Sequence, residues 1–209
     1  MKQVNILGLE ASWKLAPLEG ECWGITGTIT ARPVTRSIDM HDLTWCKEQW
    51  LDHYRIWIGP YRTEEQMVNK AVVRWHGLQV ELEAIRRTNT PLYSVRTYPD
   101  IPSSVAYPLD EVIKYFQCDY FSSSFDYAIA LAIYEGYERI DIYGCQMSAK
   151  DEYIYQRPSF SYWLGMAKGL GIAFKIHGNS ELMSTSRNLL YGYNTDRSKD
   201  ASIRSIVEG

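Results

Sequence analysis

The sequence has 209 residues, of which 45% are apolar and 22% are charged, a balance typical of a soluble globular protein with a substantial core. The formal net charge is −3, and the basic residues form no cluster beyond Arg86 and Arg87. This distribution excludes an extended nucleic-acid surface, which needs clustered Lys and Arg. It leaves room for a small or nucleotide-sized ligand held by a few local cations.

The first half of the chain predicts short strands followed by one long helix. Apolar runs predict strands at 3–9, 21–29 and 37–43, with a turn or brief helix after the first. Apolar residues then recur at spacings of three and four, which predicts a long amphipathic helix over 63–87. Its stripe consists of Met67, Ala71, Trp75, Leu78, Leu82 and Ile85. No neighbouring segment offers a partner for this stripe, so the helix is interpreted as an insertion, a lid or a homo-oligomer contact.

The second half of the chain alternates helices with strands. The predicted order is strand, helix, helix, strand, helix and strand, at 91–95, 107–117, 122–136, 140–143, 159–171 and 172–176. Such alternation is typical of an α/β fold in which a mostly parallel sheet carries helices on both faces. We therefore expect a single α/β domain over residues 1–193 and a polar, mobile tail over 194–209.

In an α/β sheet a ligand binds beyond the carboxyl ends of the strands, at the point where the strand order reverses. Gly8 and Ser12 follow the first strand and form either half of a phosphate loop or an ordinary tight turn. Ser122, Ser123 and Ser124 stand at a predicted helix N-terminus, which favours an anion, although one serine could simply cap the helix.

A polar segment follows the strand at 140–143 and is the third candidate part of a binding site. It begins at Gly144 and supplies Gln146, Tyr153, Gln156 and Arg157, which could read a base edge, a ribose or a sugar, with tyrosine stacking on a ring. A solvated loop is the alternative for each residue by itself. The position of all three segments at expected element ends is what favours a binding site.

Candidate catalytic groups are fewer. His41 lies between Asp39 and Asp42, which is typical of an acid–base or orienting histidine and as often of a structural one, and Glu152 is a second proton-transfer candidate. The remaining histidines have no companions at metal-ligand spacing, so no metal site is predicted. The four cysteines form no Cys-x-x-Cys pair and are expected to be buried thiols in a reducing compartment. With no signal peptide and no apolar run of membrane length, we expect a cytoplasmic protein without membrane contact.

The run SSSFDYAIALAIYEGYERIDIYGCQM, at 122–147, resembles a segment shared by several Rossmann-like families. Among these are the bacterial sialyltransferases and the MptE-type proteins similar to 6-hydroxymethylpterin diphosphokinase. Continued through EYIYQRPSFSYWLGMAKGLGI, the sequence resembles uncharacterised proteins of tailed bacteriophages. Those proteins begin with a GxGPS-like turn, matched here by GLEAS and followed by LAP and CWGIT. The resemblance extends over residues 4 to about 193 and implies a single Rossmann-like domain, in the host cytoplasm if the protein is phage-encoded.

The resemblance implies a nucleotide or nucleotide-sugar pocket built by residues 8–12, 122–124 and the segment after Gly144. Several positions depart from the family pattern. Glu10 and Ala11 replace the Gly-Pro of the phosphate turn, and Gln146 replaces an acidic residue. Thr26 and Thr28 stand where the related families tend to have Asn. The changes at 10, 11 and 146 weigh more against catalysis than against binding.

Three functions follow from these patterns. The first is a glycosyltransferase-like enzyme with a nucleotide-linked donor, in which His41 or Glu152 assists proton transfer. The second is a non-catalytic protein that sequesters or senses a host signalling nucleotide, for instance in defence. The third is an interaction or assembly protein that uses the 63–87 helix and retains a vestigial pocket.

Overall fold

The computed structural model describes residues 1–56, 62–148 and 153–183, and a seven-stranded sheet runs through them. The strands are β1 (Gln3–Leu7), β2 (Cys22–Ile25), β3 (Arg36–Ile38), β4 (Leu92–Ser94), β5 (Ser104–Ala106), β6 (Arg139–Tyr143) and β7 (Ala173–Ile176). Their order across the sheet is β5-β4-β3-β2-β1-β6-β7, and every neighbouring pair is parallel. The order reverses between β1 and β6.

Five helices connect and cover the strands. They are α1 (Lys47–Arg55), α2 (Glu64–Thr88), α3 (Leu109–Phe116), α4 (Ser124–Tyr134) and α5 (Tyr153–Gly169), with 3₁₀ turns at Ala11–Leu15 and Thr28–Thr30. Local sequence sets their ends. Thr63 caps α2 by accepting a hydrogen bond from the Gln66 N–H, and Asn89 ends that helix with a φ of 52°. Ser123 caps α4 in the same way, through the N–H of Asp126.

Helices cover both faces of the sheet because alternate strand residues point to opposite sides. Val4, Ile6, Ile140 and Ile142 pack in one apolar core with residues of α3, α4 and α5. Leu92 of β4 points the other way and joins a second core that contains residues of α1 and α2. The all-parallel, Rossmann-like α/β fold with helices on both faces therefore confirms the prediction.

The long helix α2 spans nearly the predicted residues, and most of its predicted stripe is buried. Trp75 is only half-buried, whereas Glu81 is buried beside the stripe. The stripe packs against α1, a helix that the sequence analysis did not predict. The α2 face that lacked a partner in the sequence is thus covered within the same chain.

Several predicted bounds differ from the structure, because the strand predicted at 21–29 ends at Ile25 and the strand predicted at 37–43 ends at Ile38. The connection after β4 contains the short strand β5, which was not predicted. Helix α5 begins at Tyr153, six residues before the predicted start, so Tyr153, Gln156 and Arg157 lie on a helix and not in a loop. The tail at 194–209 lies outside the described residues.

The expectation of buried cysteines is wrong for Cys46, which is exposed at the start of α1, and Cys118 is only half-buried. Cys22 and Cys145 are buried as expected, and all four are free thiols. Among the helices in the described ranges, none is both long enough and apolar enough to span a membrane.

Candidate functional site

A pocket of about 470 Å³ opens where the strand order reverses, at the carboxyl ends of β1 and β6. Leu7 and Tyr143 are paired in register as the last residues of these two strands, so Gly8 and Gly144 follow side by side. The described lining residues come from the ends of β1, β2, β3 and β6, from α1 and α2, and from the starts of α4 and α5. This is the position at which open α/β sheets place their ligands.

Gly8 and Gly144 bring two backbone segments into direct contact at the pocket floor. A Cβ built on either glycine would overlap the carbonyl oxygen of the other, and Gly144 has a φ of +65°. The Gly8 N–H donates to the Tyr143 carbonyl at 2.9 Å, and the Gly144 N–H donates to Ser12 Oγ at 2.7 Å. The backbone at Gly8 therefore contacts the segment that follows β6, and the side chain of Ser12 holds that segment through the Gly144 N–H.

The carboxylate of Glu10 accepts hydrogen bonds from the backbone N–H groups that follow β6. Its Oε2 accepts hydrogen bonds from the N–H of Gln146 and, at 3.2 Å, from that of Met147. In a phosphate-binding turn, free N–H groups of this kind would face the ligand. Here a side-chain carboxylate already satisfies them. Met147 has a φ of +56°, and Thr26 on the facing wall has a φ of +43°, so two non-glycine residues of the lining hold a left-handed backbone.

A carboxylate also accepts hydrogen bonds from backbone N–H groups at the start of α4. Ser122, Ser123 and Ser124 all line the pocket. The N–H groups of Ser122 and Ser123 donate to Asp126 Oδ2 at 2.8 and 2.9 Å. Ser159 Oγ donates to the same oxygen at 2.8 Å and also contacts Ser122 Oγ. Burial raises the pKa of Asp126 to about 6, although these hydrogen bonds act to lower it.

His41 is held in one orientation by a buried carboxylate. It lies just beyond β3, and its Nδ1 is 2.6 Å from Asp39 Oδ1, while Asp39 is fully buried. Asp39 Oδ2 in turn accepts from Arg74 Nη2 on α2. Burial alone would raise the pKa of Asp39, but the charges of His41 and Arg74 and the hydrogen bonds from His41 hold it below its usual value. With Nδ1 committed to Asp39, Nε2 is the ring nitrogen left for a pocket ligand.

Arg74 connects this pair to Glu81, which is also buried. Arg74 Nη1 donates to Glu81 Oε2 at 2.9 Å, and the two side chains are 11% and 1% exposed. Burial and the charge of Asp39 together raise the pKa of Glu81 to about 8, despite the opposing effect of Arg74. At neutral pH the cluster therefore contains an ionised Asp39, a cationic Arg74 and a protonated Glu81.

Aromatic side chains form much of the remaining pocket surface. The aromatic rings of the lining, apart from the two histidines, are Tyr54, Phe121, Phe125, Tyr127 and Tyr153. Trp50 packs behind His41, with ring centroids 4.9 Å apart, and Arg74 lies 5.1 Å from the Trp50 ring. His53 also lines the pocket, and burial lowers its pKa to about 4, so it is neutral at pH 7.

The structure brings most of the sequence-predicted site residues together. Those that line the pocket are Gly8, His41, Ser122, Ser123, Ser124, Gly144, Tyr153 and Gln156. Ser12, Gln146 and Arg157 lie outside the lining, and Arg157 pairs with Glu181 at 2.6 Å. Glu152 lies outside the described residues.

Most of the residues that hold the lining side chains in place were not predicted from the sequence. Asp42 does not pair with His41 but with Arg96, so only Asp39 of the two flanking acids orients the ring. Arg74, Glu81 and Asp126 were not predicted at all. One signal was available for Glu81, because it lies seven residues after Arg74 and so shares a helix face with it, next to the apolar stripe. Within the described ranges, no group of three or more His, Cys, Asp or Glu residues is placed to hold a metal ion.

No protein-family model and no curated protein matches the chain. In structure the chain is similar to the sialyltransferase CstII from Campylobacter jejuni in complex with the substrate analogue cytidine-5'-monophosphate. The TM-score is 0.44 and the identity is 15%, over 84% of this chain and 79% of that chain. The complex of CstII with CMP-3FNeuAc gives a TM-score of 0.42 and 12% identity, over 84% and 80%. At this identity the likeness concerns the fold.

Proposed function

We propose that the pocket binds a nucleotide or nucleotide sugar and that the protein transfers a group from it, as a glycosyltransferase does. The observation that carries this proposal is one cavity at the strand-order reversal that combines an aromatic wall, several hydroxyl groups and an oriented histidine. Its volume of about 470 Å³ lies within the range of small-molecule sites.

The two kinds of wall suit the two parts of such a ligand. A base or sugar ring can stack on aromatic side chains such as Phe121 or Tyr153. Hydroxyl and amide groups, among them Ser124 and Gln156, can bond to ribose or sugar hydroxyls. The backbone donors next to Ser122 and Gln146 already bind Asp126 and Glu10. We therefore place the anionic group of the ligand toward Arg74, the one Lys or Arg among the described lining residues.

In the proposed reaction His41 is the general base. An acceptor hydroxyl attacks the anomeric carbon of the donor, and its proton passes to His41 Nε2 as the new carbon–oxygen bond forms. The bond from that carbon to the phosphate oxygen breaks, and the nucleotide leaves with the bonding electrons. Asp39 keeps the proton on Nδ1 before the reaction and stabilises the imidazolium afterwards. Glu152 stays the second candidate for proton transfer.

A non-catalytic nucleotide binder is the second candidate function. It is favoured by the filling of both sets of backbone donors with the protein's own carboxylates, Glu10 and Asp126. A protein that only sequesters or senses a signalling nucleotide must bind it tightly. It does not need these backbone N–H groups to hold a phosphate group during a reaction.

Calorimetry with nucleosides, nucleotides and nucleotide sugars of each common base, followed by product analysis, tests both functions. We expect binding of at least one nucleotide class and turnover of its sugar conjugate. His41→Asn keeps a donor toward Asp39 but lacks the basic ring nitrogen. It should bind the donor normally and turn it over about 10²- to 10⁴-fold more slowly. His76→Asn, at an exposed position of α2, is the matched control. Binding without turnover would support the second function, and no binding at all would contradict both.

A further inference from the structure

The hydrogen bonds and ion pairs behind His41 form a chain that ends on a buried acid outside the lining of the pocket. The chain runs from His41 to Asp39, from Asp39 to Arg74 and from Arg74 to Glu81. Glu81 is not among the lining residues of the pocket. Its contact with the pocket runs through Arg74, which does line the pocket and also binds Asp39.

With His41 neutral, as a general base must be before the reaction, the charges of this cluster do not balance if both acids are ionised. One guanidinium would then face two carboxylates in a buried cluster, leaving a net negative charge, which burial strongly disfavours. The contacts leave an oxygen for a proton on Glu81 and none on Asp39. Both oxygens of Asp39 accept charged or polar hydrogens, whereas Glu81 Oε1 is buried and has no hydrogen-bond partner among the described residues. A pKa of about 8 for Glu81 agrees with this assignment.

We propose that Glu81 is a positioning residue that works as a neutral acid: it anchors Arg74, which holds Asp39 ionised and so fixes the ring of His41 with Nε2 toward the pocket. A neutral anchor is needed because a second carboxylate would compete with Asp39 for the single positive charge of Arg74. The proposal rests on the proposed role of His41 as a base, but the arrangement itself can be measured without any substrate.

Among the described residues, few other titratable groups lie near these four side chains. From α1, His53 and Tyr54 lie beside His41 and Arg74, and Lys70 on α2 lies over the Tyr54 ring. The connection after β2 contributes the backbone of Gly27 near Glu81 Oε2 and no charge. Since the pKa of His53 is lowered to about 4, its titration falls well below that of Glu81.

Nitrogen NMR of the histidine rings tests the proposal, with His41→Asn used to assign the signals. At neutral pH the wild type and Glu81→Gln, which is neutral and of similar shape, should both show His41 protonated on Nδ1 and free on Nε2. Glu81→Leu, which cannot accept from Arg74, should lose this single tautomer. In the wild type the His41 signals should change as Glu81 ionises near pH 8, and in Glu81→Gln this change should be absent.

Glu83→Gln, at an exposed position of the same helix, is the matched control and should behave as the wild type. If Glu81→Gln loses the tautomer at neutral pH as Glu81→Leu does, Glu81 acts as a carboxylate and the proposal is overturned. It is equally overturned if the wild-type signals show no change near pH 8. Turnover should be kept in Glu81→Gln and fall by up to about a hundredfold in Glu81→Leu. A complete lack of turnover would count against the proposed function alone, because the tautomer is measured without a ligand.

Discussion

Gly8 and Gly144 lie so close together that neither position can accommodate a side chain without moving the other strand end. A Cβ on Gly144 would lie 2.6 Å from the carbonyl carbon of Gly8, and one on Gly8 would lie 2.8 Å from the ring of Phe125. The floor of the pocket is thus formed by backbone, at the one junction of the sheet where the strand order reverses. Both glycines are structural requirements of the site, whatever its ligand is.

Substitution of either glycine should therefore destabilise the fold. We expect Gly144→Ala to cost about 3 kcal/mol or more in the free energy of unfolding, because it combines the overlap with a φ of +65°. Urea denaturation measures this cost. Gly165→Ala is the control, since Gly165 lies on an exposed face of α5 with nothing within 4 Å of a built Cβ. It should stabilise the protein by about 0.5–1 kcal/mol, and a similar loss in both variants would contradict the interpretation.

Thr26 holds an unfavourable backbone conformation in the pocket wall. Its φ of +43° is rare for a β-branched residue, whereas Gly and Asn adopt such values readily. Thr26→Gly and Thr26→Asn should raise the melting temperature, by an amount that corresponds to about 1 kcal/mol. Thermal denaturation monitored by circular dichroism measures the change. The exposed Thr30, which has no positive φ, provides the control substitution Thr30→Asn, and an equal gain there would refute the strain argument.

The position of the site could be predicted from sequence because it depends on local features. Glycine ends the runs that became β1 and β6, and a serine cap starts α4, so all three candidate segments were visible as element ends. Parallel strands then bring such ends to one edge of the sheet.

The interactions within the site could not be predicted in the same way. Asp39 and Arg74 are 35 positions apart, and their pairing depends on the packing of α2 over the end of β3. Helix α1 was missed because only two of its nine residues, Trp50 and Tyr54, are buried, too few to give a periodic pattern. Strand β5 was missed because it has three residues, two of them exposed. The carboxylates of Glu10 and Asp126 fill backbone donors that sequence alone shows as free.

The pKa of Glu81 predicts how stability depends on pH. In the unfolded chain Glu81 ionises near its ordinary value of 4.5, and in the folded protein near 8. Below about pH 4.5 it is protonated in both states. As pH rises above 4.5, Glu81 ionises first in the unfolded chain, which stabilises the unfolded state. The free energy of unfolding therefore falls until pH passes about 8. Burial of Asp126 acts in the same direction up to about pH 6, while the lowered pKa of His53 acts in the opposite direction below about pH 6.5.

Urea denaturation of the wild type and of Glu81→Gln across this range isolates the effect of Glu81. The two proteins should converge in stability near pH 4.5, and the advantage of the glutamine variant should then grow to about 4 kcal/mol by pH 8. Glu83→Gln should show no such growth, because Glu83 is exposed. A constant difference between wild type and Glu81→Gln at all pH values would mean that Glu81 is ionised in the folded protein.

A double-mutant cycle between Asp39 and Glu81 should show a reversal of sign. At about pH 7.5 Glu81→Gln by itself should stabilise the protein, since it removes a buried acid that is protonated only in the folded state. In Asp39→Asn the repulsion from Asp39 is gone, so Glu81 can ionise and pair with Arg74, which limits the cost of that substitution. Glu81→Gln in the Asp39→Asn background then leaves the buried Arg74 without a carboxylate and should cost about 3–5 kcal/mol.

Asp42→Asn, at an ion pair with the exposed Arg96, should cost less than about 1 kcal/mol and add independently. Chemical denaturation of the four proteins of the cycle measures the coupling, and strict additivity would show that Arg74 does not share its charge between the two acids.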